Sequence, residues 1–434
     1  MTPKDASRRT VRIGLLGCGN VGAALYRLVE QQAPAIEQRT GVRLQVVGVA
    51  VRNLSRERDV DIPAGLLTRD AHGLVASADV DVVVEVIGGI EPARELITTA
   101  LAAGKPVVTA NKELLANVGV ELFTTADESG VDLLFEAAVA GGIPVVRSLR
   151  ESLRGEPISR VMGIINGTTN FILTKMTEEG AEYGAALAEA QHLGFAERDP
   201  TADVEGFDAG AKAAILASIA FGAKVVAGDV YHEGISRVTA ADIAVAQRLG
   251  YVIKLLGIAE RDPASGEIGV RVHPAMVPKN HPLASVRESF NAVFVEGDAV
   301  GSLMFYGRGA GGNPTASAVL GDVIDAAVNL AKGTHGTLGA FSKASIRPID
   351  ETSAEYLLSM QVADKPGVLH AVTGAFARHG VSIRAAEQEG IGAEARLVFI
   401  THEARESAVQ ATMRELRDMD VVRQVGGLLR VIGR

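Results

Sequence analysis

The sequence predicts an α/β protein in three parts: a doubly wound parallel sheet, an α+β domain, and a C-terminal βαββαβ module of ferredoxin-like type. Three observations carry this. Short apolar runs alternate with helical periodicity up to about Phe135, the pattern of parallel βαβ units. That alternation breaks after Gly141-Gly142. Beyond a polar stretch rich in Gly, Thr and Ser, Gly333–Asp350, a new ordered series of strands and helices follows.

In the first part, Val11–Leu16 is an apolar run ending at Gly17. Val21–Gln32 follows as a helix with Val21, Leu25, Leu28 and Val29 on one side. Leu44–Val51 and Asp81–Ile87 read as buried strands, and Glu91–Ala103 as a helix stopped by Gly104, with Pro106 just beyond. Val107–Thr109 and Val131–Phe135 continue the alternation. In the second part, Arg160–Ile165 reads as a strand entering a polar turn, Asn166–Asn170. Long helices are expected next, with strands returning at Gly269–His273 and Ala292–Val295. Gly307–Pro314 is a glycine-rich loop before a helix, Thr315–Ala331, expected to pack back on the first domain.

The C-terminal module reads as strand Glu355–Val362, turn Asp364–Gly367, helix Val368–His379, strands Ser382–Gln388 and Ala395–His402, helix Glu406–Asp418 and strand Gly427–Ile432. That is the split ferredoxin-like order. The expected domains are 1–144, 145–332, a flexible linker at 333–350, and a separate module at 351–434.

Composition narrows the function classes. At 434 residues, 47% hydrophobic and 4% aromatic, the chain fits an Ala/Val/Gly-rich globular enzyme rather than a disordered or fibrous chain. A net charge of −9 disfavours nucleic acid and anionic membranes as partners. One cysteine, Cys18, permits no internal disulfide and suits a reducing cytoplasm. No apolar run reaches membrane-spanning length. Met1–Thr10 has no apolar signal region and reads as a polar tail.

Four segments carry chemistry. Gly17-Cys18-Gly19-Asn20-Val21-Gly22 fits G-x-G-x-x-G between a strand and a helix. This is the Rossmann-type fingerprint, whose glycines bring a pyrophosphate to a helix N-terminus. After the second strand the chain shows Arg52, with Arg56 and Arg58 beyond, where NAD-preferring folds carry an acid. A guanidinium suits a 2′-phosphate, so NADP is expected, with NAD possible. Lys112, in Thr109-Ala110-Asn111-Lys112, follows the fourth strand at the carboxyl edge of the sheet, where open α/β folds bind ligands. Finally, Asp208 precedes Lys212 by one helical turn, with Glu197 upstream and a nearly wholly apolar stretch after Lys212. By spacing alone this is either a surface ion pair or an acid/base pair whose lysine is partly desolvated.

The run Ala190–Lys212 resembles the signature of the homoserine dehydrogenase family, with Ala190, Gly194, Asp199-Pro200, Asp203, Gly206, Asp208 and Lys212 at the family spacings. The resemblance is to the monofunctional form, with no kinase segment before the glycine-rich loop. The C-terminal module, with its DKPG turn, resembles an ACT domain.

The resemblance implies NAD(P)-dependent interconversion of L-homoserine and L-aspartate 4-semialdehyde, on the route to threonine, methionine and isoleucine. It implies catalytic roles for Lys212, Asp208 and Lys112, and substrate binding by Glu197, Asp208 and Lys112. Residues alone leave open whether Lys212 or Lys112 moves the proton. Cofactor contacts are expected at Gly17, Gly19, Asn20, Val21, Gly22, Arg52, Lys112 and Gly311. The turn Asn166–Asn170 is expected to line the substrate cavity. A monovalent cation such as sodium is implied at Glu136, Val139, Gly141 and Ile143. L-threonine is the implied effector, and a homo-oligomer, dimer or tetramer, the implied assembly.

Overall fold

A computed structural model describes residues 9–391 and 394–432. The expected N-terminal tail up to residue 8, and the last two residues of the expected C-terminal module, lie outside the described residues. The chain forms two compact units. One comprises the chain to Val161, Ala211–Asp229 and Asn291–Ala344. The other comprises Met162–Gly210, Val230–Phe290 and the chain from Ser345 onward.

The first unit begins with β1 (Arg9–Leu16), α1 (Asn20–Thr40), β2 (Val42–Ala50), β3 (Leu67–Thr68), α2 (Ala71–Ala76), β4 (Val82–Glu85), α3 (Ala93–Ala102), β5 (Val107–Thr109), α4 (Lys112–Ser129), β6 (Leu133–Leu134) and α5 (Val145–Arg147). Its parallel sheet has the order β3-β2-β1-β4-β5-β6, the doubly wound dinucleotide-binding order. Helices cover both faces, so every residue of β4 is buried. The helix expected to end at Gln32 instead runs through Pro34 to Thr40. Ile36 is buried beyond the proline, and Gly41, at φ 75, closes the helix with its N–H on the Glu37 carbonyl. β3 and α2 escaped the pattern because they are too short to show a period.

This unit also holds the start of β7 (Ile158–Ile164), β8 (Ala223–Lys224), β12 (Phe290–Gly297), β13 (Gly301–Arg308), α11 (Gly312–Lys332) and β14 (Ser342–Lys343). Val319, Val323 and Ala326 of α11 share one core with Leu25 and Val29 of α1 and Val11 of β1. The stretch expected as a flexible linker is tied down. Gly336 N–H donates to Asp132 at 2.6 Å, and β14 pairs with β8. In the second unit Arg347 pairs with Asp262 at 2.6 Å and Ile346 bridges Ile268. These partners are remote in sequence, which is why composition suggested a linker.

The second unit comprises α6 (Gly167–Glu179), α7 (Tyr183–His192), α8 (Thr201–Val204), the first residues of α9 (Phe207–Phe221), β9 (Tyr231–His232), α10 (Ala240–Arg248), β10 (Tyr251–Arg261) and β11 (Ile268–Pro278). It continues with β15 (Ser353–Ala363), α12 (Val368–Arg378), β16 (Ile383–Ile391), β17 (Glu394–Thr401), β18 (Ala404–Arg405), α13 (Glu406–Arg417) and β19 (Val422–Val431). The segment expected as a polar turn starts a helix. Asn166 is the N-cap of α6, its side chain accepting from Thr169 N–H at 2.9 Å. β10, within a stretch expected to be helical, pairs antiparallel with β11 along its whole length.

The last part has the strand order β19-β15-β17-β16, the ferredoxin-like arrangement expected. Val372 and Phe376 of α12 and Val409, Met413 and Leu416 of α13 pack on it. It is not a detached module. Arg430 and Val431 of β19 pair in parallel with Ala275 and Met276 of β11, so one sheet runs through both parts of this unit.

Candidate active site

At the end of β1 the chain turns at Gly17, φ 99, whose N–H bonds the Ala50 carbonyl at 2.9 Å. A Cβ on Gly17 would stand 2.9 Å from the Val86 carbonyl oxygen, and one on Gly22 only 2.3 Å from the Gly17 oxygen. Gly19, by contrast, faces open space. The three glycines therefore provide a tight turn, an opening for a ligand, and close helix–strand packing. Asn20 opens α1, which has no side-chain cap, and Val21 packs on the core behind it. The first N–H groups of the helix are left for an anion.

A second glycine loop joins the first. Gly311, φ 115, precedes α11 without a side-chain cap, and a Cβ on Gly312 would lie 3.1 Å from the Asn20 oxygen. Two uncapped helix N-termini thus meet at one place. This fits a dinucleotide pyrophosphate.

The carboxyl edge of the sheet is fixed by buried polar groups. Glu85, fully buried at the end of β4, accepts from Ile87 N–H at 2.8 Å, Gly88 N–H at 3.0 Å and the Thr109 hydroxyl at 2.6 Å. Asn111 caps α4 through Leu114 N–H and donates to the Gly89 carbonyl at 2.6 Å. Lys112 is placed as the first residue of α4 at this edge, half-buried.

Beyond β2, Arg52 is exposed, and Arg69 Nε donates to its carbonyl at 3.1 Å. Arg69 follows β3, which pairs with β2, so two arginines share the edge. Recognising β3 would have revealed Arg69. Arg58 instead curls back onto the carbonyls of Asn53 and Arg56 and against Cys18. Burial pushes the Cys18 thiol up, against the opposing pull of Arg58.

In the second unit the carboxylates gather around one amide. Asn166 Nδ2 donates to Asp203 Oδ1 at 2.7 Å and to Asp208 Oδ2 at 2.9 Å. Asp208 is buried near the start of α9, and half-buried Lys212 follows one turn later on the same helix. Asn166 was expected only as part of a cavity-lining turn and Asp203 had no expected role, although both fall within segments the sequence singled out. Glu197 makes no hydrogen bond to Asn166. It is exposed between α7 and α8, and its carbonyl accepts from Gln191 Nε2 at 3.0 Å. Asn170, at the end of that turn, is buried and anchored. It donates to the Glu288 carbonyl at 2.9 Å and accepts from buried Lys254 at 2.9 Å. Burial lowers that lysine's pKa to about 8.

Glu136, Val139, Gly141 and Ile143 lie in one buried stretch. Ala140 (φ 55) and Gly141 (φ 48) form a left-handed turn, and a Cβ on Gly141 would meet the Gly309 carbonyl at 2.4 Å. Glu136 accepts from Val146 and Arg147 N–H at 2.9 and 2.7 Å, capping α5, while burial raises its pKa despite those bonds. A buried carboxylate beside a tight carbonyl-rich turn is compatible with a weakly held cation.

Comparison with known proteins places these parts. Residues 17–136 match the family model for the NAD-binding domain of homoserine dehydrogenase, 144–324 the homoserine dehydrogenase model, and 356–420 the ACT domain. The chain is 51% identical over 435 residues to the homoserine dehydrogenase of Mycobacterium tuberculosis, covering 98% of each. It belongs to the homoserine dehydrogenase family. The homoserine dehydrogenase of Corynebacterium glutamicum is 51% identical over 99% of this chain and 97% of its own. The crystal structure of the homoserine dehydrogenase from Thiobacillus denitrificans superposes with a TM-score of 0.92 at 41% identity, over 98% of each chain. A hyperthermophilic archaeal homoserine dehydrogenase in complex with NADPH gives 0.62 at 30% identity, over 73% of this chain and 97% of its own.

As a homoserine dehydrogenase the protein is an NAD(P)-dependent oxidoreductase acting on a CH–OH group. The NAD-binding match takes in the glycine loop Gly17–Gly22. Among the described residues no helix is long and apolar enough to cross a membrane.

Proposed function

We propose that the enzyme interconverts L-homoserine and L-aspartate 4-semialdehyde, preferring NADP to NAD, with Lys212 as the proton-transfer group. The observation that carries this is the Asp208/Lys212 pair on α9: the carboxylate is fixed by Asn166 and the lysine is half-buried one turn on. The bound nicotinamide supplies or accepts the hydride. Lys212 gives a proton to the carbonyl oxygen during reduction and takes one from the hydroxyl during oxidation. Asp208 orients Lys212, and Glu197 and Asp208 accept from the substrate ammonium. Lys112, at the sheet edge, adds positive charge beside the reacting carbon. Arg52 and Arg69 together meet the 2′-phosphate, a reading supported by the NADPH complex of the archaeal relative.

A monovalent cation such as sodium is held by Glu136 and the carbonyls of Val139, Gly141 and Ile143, stiffening the turn under Gly309. The product feeds threonine, methionine and isoleucine synthesis in the cytoplasm, the enzyme acting as a homo-oligomer, dimer or tetramer. L-threonine inhibits it by docking its carboxylate at Asp364–Gly367, where α12 starts without a side-chain cap. Lys212→Ala tests the central assignment. Turnover with homoserine and NADP should fall roughly 10²–10⁴-fold while NADP affinity stays near that of the parent. A variant keeping more than half its turnover would overturn the role.

A further inference from the structure

A cavity of about 1220 Å³ in the second unit takes no part in the chemistry described above. It opens between β19, α13 and the segment from Tyr231 to Asp242. Common small-molecule sites occupy roughly 300–1,000 Å³, so this space is large enough for a metabolite with water beside it.

Its charge is one-sided. Arg237, Arg396 and Arg417 line it, and none makes an ion pair or side-chain hydrogen bond among the described residues. Two of the three lining carboxylates are already committed. Glu233 accepts from Arg430 Nη1 at 2.7 Å, and Asp242 caps α10 while accepting from Ser359. Glu205 alone remains. Three unneutralised guanidinium groups on one cavity are a local reversal in a chain of net charge −9.

The backbone adds donors. β19 pairs with β15 on one side but meets β11 only at Arg430 and Val431. From Gln424 to Leu428 its other edge is therefore unpaired and borders the cavity, with Gly426 and Gly427 presenting main chain without side chains. Guanidinium forks and free N–H groups are the donors that recognise phosphate and carboxylate oxygens.

We propose that this cavity binds a small polyanion, a metabolite carrying two or more phosphate or carboxylate groups, at a site separate from both the cofactor cradle and the Asp364–Gly367 turn. Calorimetric titration of the full chain with inorganic pyrophosphate, and separately with citrate, tests it. Three proteins are compared: the parent, Arg396→Gln/Arg417→Gln, and Arg52→Gln as control for the cofactor loop. At least one probe should bind the parent with one-to-one stoichiometry. Affinity should fall at least about tenfold in the double variant, as loss of charge-assisted bonds implies, and stay unchanged in Arg52→Gln. Binding of pyrophosphate alone supports a phosphorylated ligand, and of citrate alone a polycarboxylate. The targeted arginines have no partners to lose, so matching melting curves without ligand are expected. If the double variant melts lower, Arg237→Gln takes its place in the comparison. The proposal is overturned if neither probe binds the parent at millimolar concentration, if the cavity-arginine variant binds as the parent does, or if only Arg52→Gln loses binding.

Discussion

At Gly17–Gly22 the chain is shaped by missing side chains, whereas at Arg430 it is held by a crowd of them. The glycine loop keeps its turn because no Cβ intrudes where Gly22 approaches the Gly17 oxygen. In the C-terminal joint, Arg430 is buried on β19. Its Nε and Nη2 donate to Glu406 at 2.8 and 2.7 Å and its Nη1 to Glu233 at 2.7 Å, with the guanidinium 5.5 Å over the Tyr231 ring. Tyr356 adds its hydroxyl to Glu406 at 2.9 Å. Glu233 leads directly to a contact with the end of α8. A Cβ on Gly234 would lie 2.3 Å from the Val204 oxygen, and Ile235 N–H bonds that oxygen at 2.8 Å. A loop built from backbone shape is local and tolerates nothing added. A joint built from paired charges is non-local and tolerates nothing removed.

The largest effect should come from breaking the joint. Arg430→Met leaves Glu406 buried and unpaired, which costs about 3–5 kcal/mol. Urea unfolding at neutral pH measures it, and a variant as stable as the parent would dissolve the contrast. Burial works to raise Glu406, yet Arg430, Gln410 and Tyr356 outweigh it and its pKa sits below the ordinary range. A depressed carboxylate stabilises the fold above its unfolded pKa, about 4.3, and that contribution is lost as pH falls through the folded value. The stability gap between parent and Arg430→Met should therefore narrow on acidification below about pH 4.

Adding one methyl to the loop comes next. Gly22→Ala drives a Cβ against the Gly17 carbonyl, and the turn must open to relieve it. NADP affinity should drop about a hundredfold, near 2.7 kcal/mol, with a smaller loss of stability of about 1–3 kcal/mol. Unchanged cofactor binding would mean that shape is not what this loop supplies.

How readable each region was follows from the same contrast. The glycine fingerprint, Lys112 and the Asp208/Lys212 pair each lie within a few residues of chain, so spacing exposes them. The partners of Arg430 stand 24 and 197 residues away, and all are ordinary residue types. Nothing local marks them, and the C-terminal part consequently read as a detachable module. Asn166 shows an intermediate case. Its segment stood out, but its hold on Asp203 and Asp208, 37 and 42 residues on, is a product of folding. Glu197, eleven residues before Asp208 in sequence, lies in an exposed stretch between α7 and α8.

Asn166→Asp sharpens that middle case. It replaces the donor between two carboxylates by a third carboxylate, and like charges raise one another's pKa. The acid limb of kcat/KM should move about one unit toward higher pH, corresponding to about 1.4 kcal/mol. An unmoved limb with reduced turnover would make Asn166 a purely structural cap of α6.

An effect of about the same size as that of Asn166→Asp should come from the exposed stretch beyond β2, where one side chain is added to a site otherwise made of backbone. Arg52 alone would carry the whole 2′-phosphate contact if β2 ended the edge, but β3 brings Arg69 beside it, with Arg69 Nε on the Arg52 carbonyl at 3.1 Å. Two guanidinium groups sharing one phosphate make either one partly dispensable. Arg52→Asp should thus swing relative kcat/KM from NADP toward NAD by about 1.5 kcal/mol, near tenfold, rather than by the full value of a sole charged contact. Adding Arg69→Ala should roughly double that shift, because the second guanidinium can then no longer compensate. Equal coenzyme ratios in the parent and Arg52→Asp would show that the edge arginines are solvated and that cofactor choice is made elsewhere in the loop.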